Sequence, residues 1–122
     1  MKYTERGNNM TRPVFSFTDR DIKEYGKIRF VEFDIPGGIT TPGEYADAVE
    51  EGGDKIFAPS GRGIIISGRD PIWGYAMILH AAHPARWIAT MDPRLGPVVV
   101  QSHTPGVSCG EVIPLSLLEN KV

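Results

Sequence analysis

The stretch from Gly63 to His103 constrains the fold most, because two short apolar runs there are separated by one helical segment. Ile64-Ile65-Ile66 has no polar alternation, the pattern of a strand buried on both faces. It ends at Ser67-Gly68-Arg69. Asp70 and Pro71 then supply a cap and a first-turn residue for a helix, and Pro84 disfavours its continuation past about His83. Trp87 to Met91 is the returning strand. Two parallel strands need a crossover of a dozen or more residues, and Asp70 to Pro84 is long enough to supply it. Such a unit is almost always right-handed, and both its strands finish on one sheet edge, where ligands bind in open α/β sheets.

The same signals extend in both directions. Val14, Phe15 and Phe17 begin a strand, and Asp19 to Gly26 reads as a polar connection. Lys27 to Ile35 is a longer strand, with Val31, Phe33 and Ile35 on one face and Ile28 and Phe30 on the other. That pattern predicts cover on both faces, or a bulge. Thr41-Pro42-Gly43-Glu44 is a capping box with proline at the first helical position. The helix carries Tyr45, Ala48 and Val49 inward and runs to Glu51, where Gly52-Gly53 permits a left-handed stop. Beyond Met91, Asp92 to Gly96 is a tight turn and Val98 to Val100 returns as a hairpin. Thr104 to Gly110 is a loop. Val112 to Leu118 is expected as a last strand, at an edge because of Pro114. The order β-β-α-β-α-β-β-β predicts a single compact α/β domain over residues 14–122 with a mixed sheet, preceded by a flexible polar extension at 1–13.

With 122 residues, 41% of them hydrophobic, the chain can fill one core. A net charge of −2 argues against a surface that grips long nucleic acid, DNA above all, but leaves room for a compact anion held by a few donors. Cys109 is the only cysteine, so no intrachain disulfide can form and a reducing compartment fits. Neither a signal-like apolar core nor a membrane-length run is present in the sequence, which predicts a cytoplasmic protein without membrane contact.

Three groups could carry chemistry. Ser67-Gly68-Arg69 lies where a strand ends and a helix begins, so free backbone N–H groups, the helix dipole, a hydroxyl and a guanidinium favour an anion such as phosphate. Gly68 would allow close approach of the ligand. The bland alternative is an ordinary turn with a solvated arginine, partly neutralised by Asp70. Asp92 and Arg94 fall on the same edge, as a proton acceptor or metal ligand and a stabiliser of phosphate charge. An Asp-Pro-x-x-Gly turn is nevertheless favoured for its backbone alone, and on these residues by themselves the turn reading wins. His80 and His83 share one side of the helix. If Met91 pairs with Pro97, position 103 lies opposite about 85, which sets His103 beside His83. The three histidines fit acid and base catalysts, metal ligands or surface residues at a subunit contact, in no standard zinc spacing.

A helix from Pro71 to His83 spans roughly 20 Å at about 1.5 Å per residue, so it separates the Arg69 and Asp92 edge from the histidine end. If both sets serve one reaction, subunits meet head to tail with the ligand between opposite edges, a contact able to continue into a stack or filament.

The strings ISGRDPIW, MDPRLGPVVVQSH and GEVIPL, in that order, resemble the small type III CRISPR-associated ring nucleases, a family related to the CRISPR-associated Rossmann fold. The resemblance is strongest from Gly63 to Ile113, and before Gly63 only the element order matches. It implies an enzyme that binds cyclic tetra-adenylate and cleaves it to linear di-adenylate, switching off type III CRISPR antiviral signalling. It also implies a link to manganese-dependent trimming of RNA 3′ ends, hence manganese as cofactor and short RNA as a further partner, and dimers that stack head to tail around the ligand. By the same resemblance Ser67 and Arg69, with Gly68 between them, match the binding turn. His83, Asp92, Arg94 and His103 match the polar positions after the helix, with His80 a weaker match, and the metal-holding residues stay unassigned. Asp70 beside Arg69 would either weaken phosphate binding or only cap the helix. Two rival readings remain. A non-catalytic sensor or sink would need Ser67 and Arg69 but not the histidines. A manganese-dependent RNA 3′-end exonuclease would cut linear RNA at least as well as the ring, and the low basicity disfavours it.

Overall fold

The computed structural model describes residues 12–57 and 61–119, so most of the expected extension at 1–13 lies outside the described residues. Of that segment, Arg12 Nη2 pairs with Glu51 Oε1 at 2.7 Å and Pro13 is buried. The elements are β1 (Val14–Ile22), β2 (Gly26–Asp34), a 3-10 turn (Pro36–Gly38), α1 (Pro42–Phe57), β3 (Gly63–Ser67), α2 (Ile72–Ala81), β4 (Trp87–Asp92), β5 (Gly96–Ser102) and α3 (Leu115–Glu119). They build one small α/β domain around a mixed five-stranded sheet, as the sequence pattern predicts.

The strands lie in the sheet in the order they occur in the chain. β2, β3 and β4 are parallel, and β1 and β5 pair antiparallel at the two flanks. Two successive crossovers of the same hand, each to the next strand along, set α1 and α2 side by side on one face. The side chains of β2 and β3 divide accordingly. Val31, Phe33, Ile64 and Ile66 join Tyr45, Val49, Phe57 and Ile78 in the core beneath the helices. Ile28 and Ile65 join Ile22, Trp87, Ala89, Val99, Ile113 and Leu118 in a second core on the other face. Both faces are covered, the first of the two outcomes expected for β2.

Four expectations are corrected. Asp19 to Gly26 is not a connection along its whole length, because β1 runs on to Ile22 and only a tight turn separates it from β2, closed by the Tyr25 N–H on the Ile22 carbonyl at 2.9 Å. The backbone does break at Gly53, with φ 52°, but helical structure resumes to Phe57, whose fully buried ring packs edge-on against Phe15 at 5.0 Å. The residue before α2 is Pro71, which makes no side-chain cap, so Asp70 is not the cap. Finally, the segment after the loop is not a strand. Val112 makes one isolated bridge to Val98, and Pro114, which has no N–H to give a ladder, turns the chain into α3. Thr41 behaves as expected, its Oγ1 accepting the Glu44 N–H at 3.2 Å. Among the described residues no helix is long and apolar enough to cross a membrane.

Candidate functional site

The parallel strands bring their carboxyl ends to one edge, where Ser67 lies opposite Glu32 and Asp92 opens the hairpin turn. Ser67 is half-buried, and Gly68 and Arg69 are exposed. Gly68 has φ 142°, and a Cβ there would stand 2.6 Å from the Phe33 ring and 2.8 Å from the Phe33 carbonyl oxygen. Packing on β2 therefore requires the glycine, a reason separate from the ligand approach expected of it. The turn is pinned from α2, whose Tyr75 hydroxyl donates to the Gly68 carbonyl at 2.6 Å.

Asp70 is tied to α1. Its Oδ2 accepts the Tyr45 hydroxyl of α1 at 2.6 Å, and its Oδ1 is buried with no hydrogen-bond partner. Burial pushes the carboxyl up to about 6, against the opposing pull of the Tyr45 bond. Burial, with the adjacent carboxylate, likewise raises the Tyr45 and Tyr75 hydroxyls. So Asp70 ties α1 to the start of α2, and neither alternative weighed for it describes that role. Arg69 sits at a recess of about 300 Å³ with Phe33, Asp34, Ile35 and Gly38.

Asp92 is committed to its turn. Its Oδ1 accepts the backbone N–H groups of Arg94 at 2.8 Å and Leu95 at 2.9 Å, which hold the carboxyl below its ordinary range. Arg94 is exposed at the tip of that turn. The carboxylate thus fixes the loop that presents Arg94 on the same edge as Arg69.

The histidines lie at the other end of β4, five residue steps or roughly 17 Å along the strand. The hairpin has the expected Met91 to Pro97 register, but a bulge between Ile88 and Ala89 shifts the remaining pairs by one. His103 consequently bonds Arg86, its N–H donating to the Arg86 carbonyl at 2.8 Å, and not position 85. It still meets His83, the two rings standing edge to face with centroids 5.1 Å apart. Gln101 connects them. Its Nε2 donates to the His83 carbonyl at 2.9 Å and lies 3.2 Å from His103 Nε2, while its Oε1 is 3.3 Å from His83 Nδ1. His80 stands apart, in the groove between α1 and α2 beside Val49, Glu50 and Met77. Sequence reasoning missed Gln101, although strand alternation puts residues 101 and 103 on one face; it missed the polar role of Tyr45, whose partner Asp70 is 25 positions away, and that of Tyr75, which reaches back only to Gly68. Among the described residues, no three His, Cys, Asp or Glu side chains gather to hold a metal.

One subunit therefore presents two separate polar ends, Ser67, Arg69 and Arg94 at one and His83, Gln101 and His103 at the other. Residues 57–114, which contain both, match the family model of a CRISPR-associated protein, Cas_csx3. A protein of Aquifex aeolicus (strain VF5), named only "Uncharacterized protein", is 51% identical over 51 residues, 41% of this chain and 46% of its own length. The chain thus spans less than half the length of that curated relative. The family-model match supports an association with CRISPR systems.

Proposed function

We propose that the chain is a ring nuclease that binds cyclic tetra-adenylate and cleaves it to linear di-adenylate, ending type III CRISPR signalling. The observation that carries this reading is the division of the polar groups between opposite ends of the sheet, with anion binders at one and paired histidines at the other. A symmetric ring with phosphates on both sides suits a gap between two such ends. Ser67 and Arg69 of one subunit hold phosphates, and His83 and His103 of the facing subunit supply proton transfer.

A ribose 2′-oxygen attacks the adjacent phosphorus while a histidine accepts the hydroxyl proton. The 5′-oxygen leaves with a proton from a second acid, giving a 2′,3′-cyclic phosphate and a 5′-hydroxyl. Arg94 stabilises the phosphorane charge, and Asp92 acts as its positioning residue through the turn. His80, in its separate groove, is assigned the least direct part. Manganese is implied by the family resemblance, and since no three His, Cys, Asp or Glu side chains gather among the described residues of one subunit, a metal-assisted route would draw ligands from the facing subunit or from the ligand's phosphates.

The test follows cyclic tetra-adenylate by chromatography, with and without manganese, over a range of protein concentrations. Conversion to linear di-adenylate with specific activity rising with concentration is expected. His83→Ala should slow turnover by roughly 10²- to 10⁴-fold while binding changes little. Tight binding without conversion under either condition would establish a sensor or sink instead. Linear RNA cut as well as the ring would favour the 3′-end nuclease.

A further inference from the structure

Arg69 is shared between the anion-binding turn and the recess of about 300 Å³ that also involves Phe33, Asp34, Ile35 and Gly38. The recess combines opposite chemistries. Phe33 and Ile35 are apolar, and a Cβ at Gly38 would meet nothing within 4 Å, so that wall is open space. The Gly38 N–H is already spent on the Ile35 carbonyl at 2.7 Å. Two of its lining residues are charged, Arg69 and Asp34, and none of the described ion pairs joins them.

A simple anion would gain from Arg69 and be repelled by Asp34. A ligand that carries a phosphate and, beside it, a hydroxyl donor uses both, because an ionised carboxylate only accepts hydrogen bonds and a guanidinium only donates them. A ribonucleotide is such a ligand, and a deoxyribonucleotide lacks the donor. Acidic side chains at the ends of parallel strands next to a phosphate-binding turn use this chemistry to hold ribose hydroxyls in dinucleotide folds. Asp34 occupies that kind of position, at the end of β2 beside the turn after β3.

We propose that the recess is a ribose subsite in which Asp34 accepts the 2′-hydroxyl of the nucleotide whose phosphate is held by Arg69, making this edge selective for ribose over deoxyribose. The inference rests on the proposed function for the identity of the ligand. It adds a specificity residue outside the binding turn and the histidine pair.

The experiment measures binding, not cleavage, on the His83→Ala chain, with cyclic tetra-adenylate and its all-2′-deoxy counterpart as probes. The ribose ring should bind at least about tenfold more tightly, the scale of one hydrogen bond to a charged group. Asp34→Ala, in the same background, should bring the ribose ring down to the affinity of the deoxy ring, and Asp34→Asn, which keeps an acceptor, should restore part of the difference. Equal affinities of the two rings for the His83→Ala chain, or a ribose preference that survives Asp34→Ala, would overturn the subsite and leave the ring nuclease reading standing. Failure of both rings to bind would overturn the ligand reading and the subsite together.

Discussion

Replacing Asp70 with Asn tests whether a half-buried carboxylate strains the junction between α1 and α2. In the protein, Tyr45 donates to one carboxyl oxygen at 2.6 Å while the other is buried without a partner, and burial raises the group from 3.8 to about 6. A rise of about two units corresponds to roughly 3 kcal/mol, at about 1.4 kcal/mol per unit. The side chain is only partly buried, so screening reduces the usable figure to roughly 1–1.5 kcal/mol. Because the folded pKa lies above the unfolded one, the folded chain holds a proton between about 4 and 6 that the unfolded chain has lost. The contribution of Asp70 is thus most favourable below the unfolded value and is lost as pH rises through about 6. Asn keeps an acceptor for Tyr45 and carries no charge. Urea unfolding followed by tryptophan fluorescence from pH 4 to 8 should show Asp70→Asn more stable by about 1 kcal/mol at pH 8, with the difference shrinking toward pH 4. A variant less stable at pH 8, or a difference independent of pH, would refute the account of strain by burial.

Two further outcomes follow from packing and charge. A Cβ on Gly63 would fall inside the Trp87 indole, so Gly63→Ala should lose about 3 kcal/mol or fail to fold, read as a lowered urea midpoint. Asp19 receives both Nε and Nη2 of Arg29 at 2.8 Å and is held below its ordinary range, first by that bond. Asp19→Asn should therefore cost about 1 kcal/mol at pH 7. With the folded pKa depressed, the stabilisation is present above the unfolded value and disappears as pH falls through the folded one, opposite in sign to Asp70. A cost that persists at pH 3 would refute the assignment to charge.

The centre of the fold was legible because its signals were local. The isoleucine run, the length of the crossover and Pro84 together specify β3, α2 and β4. The meeting of His83 and His103 was legible too, since hairpin register carries along the strand, and the one-residue offset came from a bulge that leaves no mark in composition. What local rules missed was decided by distant partners. Asp70 follows the capping pattern in sequence, yet a tyrosine 25 residues earlier takes its carboxylate. Gly68 reads as a ligand-facing glycine, and the Phe33 ring on the neighbouring strand adds a packing reason that its own sequence neighbourhood does not show. Pro114 reads as an edge-strand residue, but its missing N–H ends the pairing altogether.

The sheet order also has a bearing on how the chain reaches this structure. Among the described residues each strand after β1 pairs with the one preceding it in the chain, and the longest excursion between partners is a single α-helix with its connections. Loop-closure entropy is therefore small at each addition, and the sheet can grow by successive docking from β1 to β5 without waiting for remote segments. The long-range ties come at the close. Arg20 reaches the Leu118 carbonyl across 98 positions at 2.7 Å, and Tyr25 reaches Glu111 across 86 at 2.6 Å. The segment after β5 is thus the latch of the folding sequence. Until it docks, the face around Trp87, Ile65 and Val99 stays open to water and to other unfinished chains.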